Sequence, residues 1–202
     1  MRRLLLAPLT VLTLALGACG SHGSATGDDG RDISLPAPDV VATKATTDVP
    51  NCPKVATTPV PGGMPAITLG CLGGGRAVDM AGLRGPMIVN FFASWCTACH
   101  AEMPALAAFA RHQSAVKVLG IDFLDTQPVG ALQLAGRSHV AYPLVVDAKG
   151  SLDRSSPLPH ISAMPTSVFI DAAGKVVRVD ERAYTSEAEV RAAAQQYLGT
   201  SG

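Results

Sequence analysis

Met87 to Phe92 is apolar at every position but Asn90 and follows Gly85-Pro86, which reads as a central strand buried on both faces. From Thr97 to Arg111 the period changes to helical, with Cys99, Glu102, Leu106 and Phe109 on one stripe and Pro104 placed to bend the helix. Val116 to Ile121 reads as a second strand, so strand, helix and strand form a βαβ unit with an expected right-handed crossover. Pro128 to Ser138 predicts a second helix and Tyr142 to Val146 a short strand. Thr166 to Ile170 and Lys175 to Val179 predict a hairpin across Asp171-Ala172-Ala173-Gly174. Ser186 to Leu198 closes the chain as a helix with Ser186 as its N-cap. This β-α-β-α-β then β-β-α order predicts an α/β fold, a mixed central sheet flanked by helices.

The N-terminal residues follow a different pattern. Arg2 and Arg3 precede an apolar run from Leu4 to Leu16, the layout of a secretion signal over residues 1–18. Leu16-Gly17-Ala18-Cys19 resembles a bacterial lipobox, which implies that Cys19 is lipidated and anchors the chain to a membrane surface. An ordinary signal peptide with an idle Cys19 is the alternative. Residues 19–50 are rich in small and polar side chains and read as a flexible tether. Residues 51–202 have the size of one domain, and no later stretch reads as a transmembrane helix. A formal net charge of zero and no Lys/Arg cluster give a nucleic-acid partner no footing.

Five cysteines less Cys19 leave Cys52, Cys71, Cys96 and Cys99, an even count that outside the cytoplasm favours two disulfides. Cys52 and Cys71 bracket the turn-rich Pro59-Val60-Pro61-Gly62-Gly63, and the preferred reading is a structural disulfide closing an N-terminal extension. A second redox pair and a four-cysteine zinc site are the alternatives, the latter with only one C-x-x-C half. Cys96 falls where the buried strand turns into the first helix. Free N–H groups and the helix dipole there favour a thiolate, so Cys96 is the candidate attacking sulfur and Cys99 the resolving one. Glu102 shares the stripe of Cys99, so its carboxyl is expected to point inward, with a raised pKa suited to proton exchange with a thiol.

The run Val89 to Cys99, with Trp95-Cys96-Thr97-Ala98-Cys99 at its end, resembles the active-site segment of the thioredoxin superfamily. Glu102-Met103-Pro104 is similar to its membrane-anchored TlpA/ResA-like branch, and Met164-Pro165-Thr166 resembles the superfamily's cis-proline turn. The resemblance implies a thioredoxin fold and a thiol–disulfide oxidoreductase needing no cofactor and no metal. Trp95, Met164, Pro165 and Thr166 would face the substrate. Asn90 stands where thioredoxins proper carry a buried Asp, which leaves proton handling to Glu102. The branch further implies an extracytoplasmic disulfide reductase in cytochrome c maturation, with apocytochrome c as client and a membrane thiol-transport protein of CcdA type as electron donor.

Three rival readings remain. Direction is the first: a disulfide-forming oxidase or general disulfide exchange uses the same residues, although Thr97-Ala98 lacks the histidine of the oxidants' C-P-H-C. The second is covalent haem, because Cys96-Thr97-Ala98-Cys99-His100 also spells C-x-x-C-H. The third is a binding module, the fold retained but serving to hold a haem, a metal or a partner.

Overall fold

The computed structural model describes residues 33–200. Its helices are α1 (Pro38–Lys44), α2 (Thr97–His112), α3 (Pro128–Arg137) and α4 (Glu187–Leu198). Its strands are β1 (Thr68–Cys71), β2 (Val78–Asp79), β3 (Met87–Phe92), β4 (Lys117–Phe123), β5 (Leu144–Asp147), β6 (Thr166–Ile170) and β7 (Val176–Asp180). They form one sheet in the order β2-β1-β5-β4-β3-β6-β7. β3, β4 and β5 run parallel, and β1, β2, β6 and β7 pair antiparallel to their neighbours.

All six side chains of β3 are buried, as a strand covered on both faces requires. On one face Ile88, Phe92, Val118 and Leu144 meet Leu106 and Phe109 of α2, Leu132 of α3, Val190 of α4 and Val40 of α1. On the other, Val89, Phe91, Ile121 and Val168 meet Met80, Leu83, Leu152 and Leu158, which lie outside the α-helices. The sheet therefore carries two apolar layers, and β3, β4, β5 and β6 each contribute side chains to both. It is a thioredoxin-like fold, as the element order and motifs predict.

The predicted elements from β3 to α4 are present with ends shifted by a residue or two. Arg111 and His112 occupy the last turn of α2, where cations complement the helix dipole. Ser186 caps α4 by accepting from the Glu189 N–H, and Gly199 ends it at φ 66°.

The N-terminal segment departs from expectation. Cys19 and residues 19–32 lie outside the described residues, but residues 33–50 are not a tether. Pro38–Lys44 is helical, Val40 and Val49 are buried, and Ile33 and Leu35 pack against the α-helical layer. Seven residues cannot sustain a helix alone, so tertiary packing forms it, and a few well-placed apolar side chains suffice. β1 and β2 also escape the hydrophobic pattern because they are short and glycine-flanked. The Cys52–Cys71 disulfide, with its Cα atoms 5.8 Å apart, staples the chain after α1 to the end of β1. Among the described residues no helix is long and apolar enough to cross a membrane.

Candidate active site

Ser94-Trp95-Cys96 connects the end of β3 to the start of α2. Cys96 is the N-cap residue of α2, and its Sγ accepts from the Cys99 N–H at 3.1 Å. The same N–H and the free end of the helix would stabilise a thiolate after reduction. Cys96 and Cys99 are joined in a disulfide, with 5.3 Å between Cα atoms. Cys96 retains 7% exposure and Cys99 none, so Cys96 is the less covered residue of the pair.

The connecting segment is fixed from two sides. Asp125 follows β4, is buried, and accepts from the Ser94 N–H at 2.6 Å and the Gln127 N–H at 2.9 Å. One carboxylate thereby ties the β3–α2 junction to the β4–α3 junction. His100, on the first turn of α2, bonds the Ser94 carbonyl through Nε2 at 2.7 Å. This engagement turns His100 back onto the loop. Asp122 lies beside this arrangement, fully buried, with neither carboxyl oxygen bonded. Burial, then the neighbouring Asp125 carboxyl, push its pKa well above the ordinary range.

Over the disulfide lies a cavity of about 460 Å³, bordered by Trp95, Cys96, Phe123, Leu124, Ile161 and Met164 among others. Its walls are mostly apolar. Trp95 is 56% exposed and Leu124 43%, at φ 51°, a backbone region bulky side chains seldom adopt. The Met164–Pro165 peptide is cis, which the proline turn's resemblance implied. Of the four residues expected to face a substrate, Trp95 and Met164 border the cavity. Pro165 and Thr166 are buried behind it, the Thr166 hydroxyl donating to the Ala163 carbonyl at 2.6 Å.

Glu102 points inward and is completely buried. Its Oε2 accepts from Asn90 Nδ2 at 2.7 Å and its Oε1 from the Tyr184 N–H at 3.0 Å. Asn90 also donates to the Ser167 hydroxyl at 3.3 Å, linking β3, α2 and β6 through one amide. Desolvation raises the Glu102 pKa, while the Tyr184 and Asn90 hydrogen bonds and the Arg182 charge pull it down. The outcome is a value of about 7. A carboxyl that titrates near neutrality, one helical turn beyond Cys99, is suited to receive and return a thiol proton.

Sequence reasoning missed Asp125, Tyr184 and the cavity walls Phe123, Leu124 and Ile161. Asp125 gives a faint signal, an acid just after a buried strand and before a proline-started helix. Tyr184 acts through its backbone and gives none. Among the described residues no group of three His, Cys, Asp or Glu side chains could hold a metal ion.

Several known proteins resemble the chain. It is 32% identical over 114 residues to the thiol:disulfide interchange protein DsbE of Pseudomonas fluorescens biotype C, covering 55% of this chain and 61% of that one. It is 30% identical over 117 residues to the thiol:disulfide interchange protein HelX of Rhodobacter capsulatus, covering 56% and 62%. The chain thus spans less than two thirds of the length of these relatives. A solved thioredoxin-family thiol:disulfide interchange protein from Chlorobium tepidum TLS superposes with a TM-score of 0.58 at 26% identity. That alignment takes in 71% of this chain and all of that one. The Redoxin family matches residues 60–196. Because that match runs from before β1 well into α4 and includes the Cys96–Cys99 pair, the chain belongs to the Redoxin family, within the thioredoxin superfamily.

Proposed function

We propose that this chain is an extracytoplasmic thiol–disulfide oxidoreductase that works as a disulfide reductase through Cys96 and Cys99. The observation that carries the reading is Cys96 itself: a cysteine at a helix N-terminus, its Sγ bonded by the Cys99 N–H, that borders an apolar groove. In the reduced enzyme the Cys96 thiolate attacks one sulfur of a client disulfide. The client S–S bond breaks, and its other sulfur leaves as a thiolate and is protonated. Cys99 then gives its proton to the Glu102 carboxylate and attacks Cys96 Sγ. The client sulfur departs, so the client gains two electrons and Cys96–Cys99 closes as a disulfide. Glu102 near neutrality can hold that proton and release it when the dithiol is regenerated.

Reduction rather than oxidation is favoured by the neutral Thr97-Ala98 pair between the cysteines. Similarity to the proteins named DsbE and HelX supports the exchange chemistry. On the TlpA/ResA-like resemblance, the client is an apocytochrome c and the donor a membrane thiol-transport protein of CcdA type. The leader and lipobox over residues 1–19 support placement outside the cytoplasm, held to a membrane surface by a lipid on Cys19. The test is an equilibrium titration of the protein against dithiol buffers, reading Cys96 and Cys99 by residue-resolved alkylation. A potential near or below about −270 mV supports a reductant, and one near about −120 mV makes this a disulfide-forming enzyme instead.

A further inference from the structure

The second disulfide has an arrangement of its own. Cys52 is 7% exposed and Cys71 2%, against 7% and 0% for Cys96 and Cys99. In each pair the first cysteine thus retains slightly more exposure than the second. Lys44, the last residue of α1, is 9% exposed and sends its Nζ to 3.7 Å from Cys71 Sγ. No carboxylate pairs with it among the described residues, and burial draws its pKa below the ordinary value. A buried ammonium facing a neutral disulfide is poorly compensated. It would be matched by a thiolate in the same place. Cys52 Sγ in turn lies 3.3 Å from the Leu144 carbonyl oxygen. A disulfide sulfur has no hydrogen to give that oxygen, whereas a thiol has one. Both sulfurs therefore already face the partners that suit their reduced forms.

We infer that Cys52–Cys71 is a second exchangeable redox couple, in which Cys52 is the sulfur attacked and Cys71 leaves as a thiolate stabilised by Lys44. The reductant is an external dithiol. Its thiolate attacks Cys52 Sγ, the Cys52–Cys71 bond breaks, and the electron pair stays on Cys71. The second thiol of the reductant, once deprotonated, attacks the sulfur of its own molecule and closes a disulfide. Cys52 is released and takes one proton, and the other proton goes to solvent. The reductant is oxidised by two electrons and the pair is reduced by two. A leaving sulfur with a lowered pKa departs faster, which sets this direction of attack. Because the bond staples the chain after α1 to β1, its reduction would free that segment from covalent attachment.

The experiment equilibrates the full-length protein with graded dithiothreitol and reads Cys52 and Cys71 by differential alkylation and peptide mass spectrometry. Circular dichroism on the same samples reports whether the fold persists. Lys54 separates the two cysteines into different tryptic peptides, so Cys19, Cys96 and Cys99 do not interfere. The pair is expected to reduce while the fold persists. Lys44→Met is expected to lower the equilibrium constant for reduction by about tenfold, one unit of thiolate pKa, and Lys44→Arg to keep the wild-type value. In wild type, a glutathione mixed disulfide is expected on Cys52. Reduction only after unfolding, an unchanged constant in a folded Lys44→Met protein, or a glutathione adduct on Cys71 would each overturn the inference. The adduct's position decides the matter should Lys44→Met not fold.

Discussion

At the scale of single residues, opposing influences meet at Glu102. Burial favours its neutral form, while Asn90, Tyr184 and Arg182 favour the charged one, and burial prevails. Since the folded pKa of about 7 exceeds the unfolded value of 4.5, the stabilising contribution is complete below pH 4.5 and is lost as pH rises through 7. Glu102→Gln, a neutral isostere, is therefore expected to gain on wild type by roughly 3 kcal/mol between pH 4 and pH 8, as read by urea denaturation. A pH-independent difference between the two proteins would contradict a neutral Glu102 in the fold. Asp125 plays a different part, holding two backbone N–H groups at the mouth of the site. Asp125→Ala leaves both without this acceptor and is expected to cost about 1–3 kcal/mol, with altered reactivity of Cys96 toward iodoacetamide. Spacing alone gave the inward direction of Glu102. Its partner Tyr184 lies 82 positions away and acts through its main chain, so no side-chain pattern points to it.

Among the elements, β3 and α2 are the most legible in the sequence. An uninterrupted buried run and a cysteine at a strand-to-helix junction each have one good physical explanation. The less legible elements are those that only packing creates. α1 has about two turns of helix and two buried side chains, Val40 and Lys44, and a composition otherwise suited to a tether. β3 also depends on how it is entered. Gly85 lies so close to the β6–β7 turn that a Cβ there would stand 2.1 Å from the Ile170 carbonyl oxygen and 2.4 Å from that of Asp171. These backbone atoms, at the end of β6 and in the turn that follows it, cannot yield cheaply. Gly85→Ala is expected to destabilise by about 1–3 kcal/mol or more, measured as a shift in denaturation midpoint with unchanged slope. A substitution within 0.3 kcal/mol of wild type would show that the approach is looser than described.

On the scale of the whole molecule, two sulfur pairs sit at different places on one sheet. Cys96–Cys99 lies at the end of central β3, and Cys52–Cys71 ties β1, next to the edge strand β2, to the segment that follows α1. The second bond spans 19 positions, for which chain entropy predicts about 3 kcal/mol of stabilisation. A Cys52→Ser/Cys71→Ser protein should lose roughly that amount in thermal or urea unfolding while keeping its Cys96–Cys99 exchange. Loss of exchange together with stability would mean the two pairs are not independent. The even cysteine count made this bond legible, but Lys44 beside it was not, because a lysine in a polar stretch reads as solvated until packing buries it.

The central claim is that Cys96 attacks first and Cys99 resolves. Its most direct test is the trapping of a mixed disulfide with a cysteine-containing peptide by Cys99→Ser and Cys96→Ser variants, mapped by peptide mass spectrometry. A lasting adduct is expected on Cys96 in Cys99→Ser, and none on Cys99 in Cys96→Ser. An adduct on Cys99, or the absence of any adduct on Cys96 in the folded Cys99→Ser protein, would contradict it.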